Sequence, residues 1–252
     1  MNTTFTHLQY QQLLKEHQLN SFYALWDVEV DWFEAPNERR GGWSGVGQLR
    51  LTASTGEEVL LYVKKQQNHG RFTFRHPIKG EPTFKREFKN LQFLKKRAFA
   101  APEVVYFAED HALHQRAILI TLALDQYQSL DEWLEPGYSQ LSEAQKMGFL
   151  QTLGQNIRHF HSLGIVHRAL YPKHIFINTQ HPDKIAVIDL EKARLTAMGW
   201  YRTYLDIAAL FRHAPWLSKD EQLVFFRAYC RESLLSYRNR WFYKMILQRA
   251  NR

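Results

Sequence analysis

The order of its apolar patterns constrains the fold of this chain most, because alternating segments come first and helical segments follow. RRGGWSGVGQLRLTA and EEVLLYVKK alternate apolar and polar residues on either side of the turn sequence STGE. This arrangement predicts a β-hairpin. VVYFAED and RAILITLAL predict two further strands, the second of them apolar enough to be buried. The first half is therefore expected to form a small antiparallel sheet.

One helix is expected within this sheet, between the hairpin and the later strands. The segment PTFKREFKNLQFLKKRAFAAP has apolar residues at helical spacing, and Pro102 lies beyond its end. The residues of the apolar stripe are Phe84, Phe88, Leu91 and Leu94. Glu87 lies among them and is the carboxylate of interest on this helix.

Helices dominate the second half. Ser129 with Glu132 and Ser142 with Gln145 have the spacing of capping boxes, and each pair precedes a predicted helix. The longer of these helices has an apolar stripe and stops at Gly164. The stripe comprises Leu150, Leu153, Ile157 and Phe160.

Short strands and more helices complete the second half. HIFIN and KIAVIDLE predict two strands, and the chain after Thr203 has a helical pattern. Sheet first and helices second indicate an α+β chain with two lobes. The expected divisions are one domain over residues 1–252, an N-terminal lobe over 1–124 and a mostly helical C-terminal lobe over 125–252.

Composition narrows the expected cellular compartment and the class of partner. Cys230 is the only cysteine, so an intrachain disulfide is excluded and a reducing compartment such as the cytoplasm is expected. The start of the chain has no apolar stretch typical of a signal peptide, and the longest apolar run, AILITLAL, is too short to span a bilayer. The net charge of +8 favours anionic partners. No nucleic-acid partner is expected, because no motif for reading nucleic acid accompanies the charge.

Two features of the predicted hairpin point to phosphate binding. Glycines in GGWSGVG, residues 41–47, would let backbone N–H groups approach a polyphosphate closely; a flexible turn is the alternative. Lys64, at the end of the following strand, places an ammonium where it can reach phosphate oxygens. Lys65 must point to the opposite face of the strand, so only one of the two lysines can serve.

Two carboxylates extend this pattern. Glu87 on the predicted helix can pair with Lys64 and hold it in place, although a solvated surface charge is the alternative. Asp189 ends the apolar run IAVI. A carboxylate at the end of a buried strand is costly unless it binds a cation or caps a loop, so Asp189 is expected to bind a metal ion.

Together these features resemble a protein-kinase-like fold, in which glycine loop, strand Lys, helix Glu, His-Arg loop and metal-binding Asp occur in this order. The chain resembles the bacterial lipopolysaccharide kinase family of the WaaP and InaA type over roughly residues 38 to 212. The InaA-like branch is suggested chiefly by LYPKHIF and IDLEKAR. The other motifs that carry the resemblance are RRGGWSGV, LYVKK, the REF of the helix, HRALYPKHIF and VIDLEKAR.

The resemblance implies ATP and Mg²⁺ as cofactors, bound between the lobes. Lys64 would contact the α and β phosphates with Glu87 as its ion-pair partner, and Asp189 would hold Mg²⁺ although Leu190 and Glu191 replace the usual Phe and Gly. Asp206 looks like the buried helix Asp that steadies the catalytic loop; a helix N-cap is its alternative. The glycine loop over the phosphates would comprise Gly41, Gly42, Ser44, Gly45 and Gly47.

The catalytic loop departs from the family pattern of kinases at two positions. Ala169 stands where a catalytic Asp is usual, and a methyl group cannot accept the proton of a hydroxyl. His174 stands where Asn is usual, and an imidazole suits Mg²⁺ less well than an amide oxygen. Three explanations stay open: an introduced inactivating substitution, a natural pseudokinase, or an active branch in which His174 or Lys173 replaces the base.

By resemblance, the implied reaction is ATP-dependent phosphoryl transfer to a sugar hydroxyl of the lipopolysaccharide inner core at the cytoplasmic face of the inner membrane. Without a substitute base the kinase would be impaired or inactive, and the alternative is a pseudokinase that acts as a binding or regulatory module. A general base contributes about 10²–10⁴-fold to such a reaction.

Two clusters remain. The stretch RAYCRESLLSYRNRWFYKMILQRANR mixes basic and apolar residues at roughly helical spacing. It either packs on the helical lobe or forms a basic amphipathic face that rests peripherally on anionic lipid. The second cluster consists of His159, His161, His167 and His174. It lacks a compact zinc-ligand pattern, and His174 alone is expected to have a metal, phosphate or proton-handling role, with a structural role as its alternative.

Overall fold

The computed structural model of the protein describes residues 3–33, 35–39, 41–73, 76–112, 114–134 and 138–252. Within the motif RRGGWSGV, Arg40 therefore lies outside the described residues. The chain forms two compact units, one of Met1–Lys96 with Pro102–Leu124 and the other of Arg97–Ala101 with Asp125–Arg252.

The first unit is built on an antiparallel sheet. The strands of the first unit are β1 (Thr4–Thr6), β2 (Asp31–Trp32), β3 (Asn37–Arg39), β4 (Gly42–Thr52), β5 (Glu58–Gln67), β6 (Gly70–Thr73), β7 (His76–Pro82), β8 (Val104–Asp110) and β9 (Arg116–Leu122). Among the described residues, seven of them form the sheet, in the order β1-β8-β9-β5-β4-β2, with β3 also paired with β4. Strands β6 and β7 form a separate hairpin. The hairpin of β4 and β5 and the strands β8 and β9 confirm the predictions.

Helices pack on this sheet. The helices of the first unit are α1 (Gln11–Glu16), α2 (Phe22–Asp27) and α3 (Thr83–Lys95). Leu14 of α1 and Leu25 of α2 belong to one core with Leu61 and Val63 of β5. Helix α3, which was predicted, follows β7 and contacts β8 and β9. Helices α1 and α2 were not assigned from the sequence, because each has only six residues and shows too few turns for a clear period.

The second unit is mostly helical. Its helices are α4 (Leu130–Leu134), α5 (Glu143–Ser162), α6 (Gly199–Arg212), α7 (Lys219–Cys230) and α8 (Tyr237–Ala250). Its strands are β10 (Tyr127–Ser129), β11 (Ile165–Val166), β12 (Ile175–Asn178), β13 (Ile185–Val187) and β14 (Arg194–Leu195). β10, β12 and β13 form one sheet, and β11 pairs with β14.

Local sequence signals explain where these helices begin and how they pack. Both predicted capping boxes are present, with reciprocal bonds between Ser129 and Glu132 and between Ser142 and Gln145. The apolar stripe of α5 is buried. On α5, a Cβ at Gly154 would lie 2.5 Å from the Phe225 carbonyl oxygen of α7, so glycine permits the close contact.

The expected α+β class is confirmed, with a sheet and an inserted helix in the first unit and mostly helices in the second. Among the described residues, no helix combines the length and the apolar character needed to cross a bilayer.

Candidate active site

Lys64 and Glu87 form a buried ion pair, as predicted from the sequence. The Nζ atom of Lys64 donates to both carboxylate oxygens of Glu87, at 2.7 and 2.8 Å. The Lys64 side chain is 15% exposed and that of Glu87 is 4% exposed. A lysine that is held by both oxygens of a buried carboxylate has a fixed position for its ammonium. The surface-charge alternative for Glu87 is therefore wrong.

Lys65 lies on the opposite face, as predicted. Its Nζ atom donates to the carbonyl oxygens of Trp26 and Val28, at 2.8 and 2.7 Å. Burial lowers the pKa of Lys65 to about 8. These contacts tie the end of α2 and the residue after it to the sheet. Lys65 therefore has a structural role, and Lys64 remains the candidate for phosphate.

The glycine-rich segment differs from the expected loop. Only Gly41, with a φ of +76°, lies in the turn between β3 and β4, whereas Gly42–Gly47 belong to β4. A Cβ at Gly45 would lie 2.7 Å from the Trp32 ring, and a Cβ at Gly47 would lie 2.6 Å from Val30. The prediction of a loop over 41–47 was thus wrong for most of its length, because glycines were needed where another chain segment crosses the strand.

The sheet register identifies which residues of β4 share a face with Lys64. Val46 pairs with Lys64 and Gly45 pairs with Lys65, and paired residues lie on the same face of a sheet. Because side chains alternate along a strand, Ser44 and Val46 are on the Lys64 face while Gly45 and Gly47 are on the other. Ser44 is therefore the polar side chain of this segment on that face.

The loop that begins at His167 and Arg168 is held by Asp206, as the family resemblance implied. One carboxylate oxygen of Asp206 accepts from the backbone N–H of His167 and the other from that of Arg168, both at 2.7 Å. Asp206 is fully buried within α6, so the N-cap alternative is wrong. These bonds offset the cost of a positive φ, +67°, at Arg168.

A network behind Asp206 was missed by the sequence analysis. The imidazole of His161 contacts Asp206 through Nε2, at 3.0 Å, and the hydroxyl of Tyr229 through Nδ1, at 2.9 Å. The Tyr229 hydroxyl also lies 2.7 Å from the hydroxyl of Thr203, and burial raises the pKa of Tyr229 to about 12. Tyr229 lies 68 positions beyond His161, and no local motif links them.

His174 and Asp189 face each other in the second unit. The Nδ1 atom of His174 lies 2.8 Å from the carbonyl oxygen of Ala169, and a carbonyl can only accept, so Nδ1 carries a proton. Burial lowers the pKa of His174, which favours the neutral ring. The lone pair of Nε2 then points toward the carboxylate of Asp189, 3.4 Å away.

This arrangement fits a cation. Two acceptors that face each other at this distance repel unless a proton on Nε2 or a bound cation lies between them. A carboxylate oxygen suits Mg²⁺ and Mn²⁺, whereas an imidazole nitrogen suits first-row transition metals better than Mg²⁺. Asp189 also has a left-handed backbone, with a φ of +56°, just after β13. Such strain in a non-glycine residue is concentrated at functional sites.

Ala169 and Lys173 complete the loop. Ala169 is fully buried, and its carbonyl, not its side chain, contributes to the site through His174. Lys173 is exposed in the turn Pro172–His174. A lysine ammonium has N–H donors and no lone pair. It can therefore bind a phosphate oxygen, but it cannot take a proton from a hydroxyl.

The other histidines make separate contacts. His167 donates from Nε2 to the Ile188 carbonyl oxygen, at 2.9 Å, and the ring of His159 lies 5.7 Å from that of Phe99. In the part of the chain that the structure describes, no group of three or more His, Cys, Asp or Glu residues could hold a metal ion by itself. A metal at Asp189 and His174 would need further ligands, such as phosphate oxygens.

The C-terminal stretch packs on its unit through α8, as one of the two predictions held, and its lipid contact stays a prediction. Ile246 and Ala250 are buried, whereas Tyr237 and Trp241 are 83% and 59% exposed. The basic residues Arg238, Arg240 and Lys244 are exposed as well. One side of the helix packs on the unit, and the other side is basic and aromatic.

Comparison with known proteins shows the family and the fold to which this chain is similar. The lipopolysaccharide kinase (Kdo/WaaP) family matches residues 23–229. The chain is 30% identical to Protein InaA of Escherichia coli (strain K12) over 178 residues, which are 69% of this chain and 79% of that protein. The solved structure of WaaP in complex with acyl carrier protein matches with a TM-score of 0.71 and 18% identity, over 99% of this chain and 98% of that one. The fold and the resemblance expected from the sequence are confirmed.

Proposed function

The chain belongs to the lipopolysaccharide kinase (Kdo/WaaP) family, and on that premise we propose that it transfers the terminal phosphoryl group of ATP to a hydroxyl of an inner-core sugar of lipopolysaccharide. The observation that carries this proposal is the buried bidentate pair of Lys64 and Glu87. The pair provides a fixed ammonium, as phosphoryl transfer to and from nucleotides requires.

The first unit would bind the phosphates of ATP. The Lys64 ammonium would contact phosphate oxygens, and Glu87 would hold it in position. The turn at Gly41 and the start of β4 at Gly42 would supply backbone N–H groups, and the Ser44 hydroxyl would add a donor on the Lys64 face. Gly45 and Gly47 would contribute indirectly, since they let the segment of Val30 and Trp32 pack on the strand.

Asp189 and His174 would hold the divalent cation. When bound, such an ion neutralises charge on the phosphate oxygens. The Asp189 carboxylate and the Nε2 lone pair of His174 are the two protein ligands. The bond from His174 Nδ1 to the Ala169 carbonyl oxygen fixes the ring so that this lone pair faces Asp189. The cation can be Mg²⁺, and the imidazole also admits Mn²⁺.

The acceptor hydroxyl must lose its proton as its oxygen bonds to phosphorus and the bond to ADP breaks. Ala169 cannot take this proton. His174 Nε2 can take it when it holds no cation, and otherwise the proton leaves to solvent. Because kinase transition states are loose, positioning and charge stabilisation dominate the acceleration. We therefore expect slow transfer, reduced by about 10²–10⁴-fold relative to a kinase with a positioned base.

The acceptor would be the inner core of the glycolipid at the cytoplasmic face of the inner membrane. The exposed basic and aromatic side of α8 supports peripheral association with that membrane. Because WaaP has been solved with acyl carrier protein, a carrier protein of that kind is a second candidate partner for the basic surface of this chain.

Ala169 favours a second candidate function, a pseudokinase that acts as a binding or regulatory module. Transfer of radiolabelled phosphate from ATP to purified core oligosaccharide separates the two. Ala169→Asp should raise transfer by about 10²–10⁴-fold, and Ala169→Asn, which has the same shape without the base, should not. Melting curves of both variants are needed as a control, because position 169 is fully buried.

The kinase function would be supported if the unaltered chain transfers phosphate and both Lys64→Ala and Asp189→Ala lose this transfer. Binding of ATP with no transfer before or after Ala169→Asp would support the module. Lys15→Ala, which removes an exposed lysine outside the proposed site, is the matched control for Lys64→Ala.

A further inference from the structure

We propose that the connection between β14 and α6 docks on an anionic lipid bilayer through an apolar tip, defined as Leu195, Ala197, Met198 and Trp200. Leu195 is 58%, Met198 51% and Trp200 60% exposed, and Ala197 is exposed too. Several large apolar side chains exposed within six residues mark an interaction surface.

The backbone under the apolar tip is held from both ends. Before it, β14 pairs with β11, with Arg194 opposite Val166. At its centre, the N–H of Thr196 donates to the Gly164 carbonyl oxygen at 2.8 Å, and the guanidinium of Arg202 on α6 donates to the Thr196 carbonyl oxygen. The apolar side chains are therefore displayed by an ordered segment, and the backbone bonds would have to break for the tip to fold inward.

The charges around the apolar tip select an anionic partner. Residues 191–206 contain three basic residues and two acidic ones, Glu191 and Asp206, and Asp206 is fully buried. Lys192 and Arg194 are exposed beside the tip. Tryptophan favours the headgroup region of a bilayer, and nearby lysine and arginine are attracted to anionic lipids. A bilayer is the partner that fits this tip, because the tip combines an interfacial aromatic residue, insertable aliphatic side chains and flanking cations.

The apolar tip follows β14, which pairs with β11, and the candidate catalytic loop follows β11. Strand β11 ends at Val166, and the loop begins with His167, whose N–H is held by Asp206. A bilayer bound at the tip would thus have the catalytic loop only a few residues away. This consequence rests on the proposed function, because it matters only if the acceptor is a membrane glycolipid. The docking itself does not depend on activity.

Vesicle binding of the full chain tests the proposal. The double variant Met198→Ser with Trp200→Ser should bind phosphatidylglycerol-containing vesicles at least tenfold less than the unaltered chain, with an unchanged melting temperature. Tyr23→Ser removes an aromatic residue of similar exposure, 58%, from the first unit and should bind normally. Tyr237→Ser with Trp241→Ser tests the exposed side of α8 as the competing surface.

A fluorescent probe gives a second, local readout. Because Cys230 is the only cysteine, Met198→Cys in a Cys230→Ser background takes one environment-sensitive label at the apolar tip. Its emission should shift to shorter wavelength with anionic vesicles and stay unchanged with phosphatidylcholine alone. A label at Tyr23→Cys should not respond to either.

Three results would overturn the proposal: full vesicle binding by the tip variant, loss of binding only in the α8 variant, or tip-dependent binding of an acyl carrier protein without binding of vesicles. Failure of the proposed function looks different. In that case vesicle binding still depends on the tip, while the unaltered chain transfers no phosphate to soluble core oligosaccharide.

Discussion

The Nε2 atom of His174 lies 3.4 Å from Oδ2 of Asp189, and the other ring nitrogen is bonded to the Ala169 carbonyl oxygen. The usual Asn of the kinase loop would offer an amide oxygen here. An imidazole instead offers a nitrogen lone pair, and nitrogen ligands favour later first-row metals over Mg²⁺. In the proposed site, the residue that departs from the kinase pattern would therefore shift the cation preference away from Mg²⁺.

His174→Asn should lower the preference for Mn²⁺ over Mg²⁺ by roughly tenfold, which corresponds to about 1.4 kcal/mol. Electron paramagnetic resonance measures free Mn²⁺ in the presence of ATP, and competition with Mg²⁺ gives the ratio of affinities. His159→Asn, on a helix of the same unit, is the matched control and should leave the ratio unchanged. An identical ratio in His174→Asn and the unaltered chain would show that His174 does not contact the cation.

Glu87→Ala should destabilise the first unit by about 3–5 kcal/mol, because it leaves the Lys64 ammonium buried without its carboxylate. The double variant Lys64→Met with Glu87→Leu should recover most of this loss, since it removes both charges. Urea unfolding measures both effects. The double variant should still fail to bind ATP, and ATP affinity equal to that of the unaltered chain would contradict the role of the pair.

Asp206→Ala should loosen the catalytic loop and cost about 3–5 kcal/mol of the unfolding free energy, because two backbone N–H groups and His161 lose a buried carboxylate. Hydrogen exchange at the amides of His167 and Arg168 should become faster. Asp183→Ala, at an exposed position, should change neither quantity. Unchanged protection of the two amides in Asp206→Ala would show that other contacts hold the loop.

Lys65 should make the stability of the chain depend on alkaline pH. Its pKa is lowered from 10.5 to about 8 in the folded protein, chiefly by burial. Between these values the unfolded chain binds the proton and the folded one does not, so the unfolding free energy rises with pH. The difference in unfolding free energy between the unaltered chain and Lys65→Met should therefore increase from pH 8 to pH 9.5. A constant difference in guanidinium unfolding would contradict this.

The sequence predicted those features that depend on local patterns. The hairpin of β4 and β5, the helix that carries Glu87 and the cap of α5 at Ser142 follow from periodicity and capping within a few residues. The role of Asp206 in holding the loop was expected from the family resemblance. The alternative role, as a helix N-cap, was excluded only by the position of residue 206 inside α6.

The features that were missed depend on contacts between distant segments. Gly45 and Gly47 were expected to approach a ligand, but their lack of a side chain accommodates Trp32 and Val30. The bond between His161 and Tyr229 joins α5 to α7, and neither helix has a motif that indicates the other. The tautomer of His174 depends on the carbonyl of Ala169, and a backbone contact of this kind has no signature in the sequence.

Linkage between ATP and the divalent cation tests the central proposal most directly, in which Lys64 contacts the phosphates of ATP and Asp189 holds a divalent cation. Calorimetric titration should show that Mn²⁺ or Mg²⁺ raises ATP affinity in the unaltered chain, that Asp189→Ala abolishes this increase, and that Lys64→Ala weakens ATP binding with and without metal. Equal ATP affinities in all three proteins, with or without metal, would contradict the account.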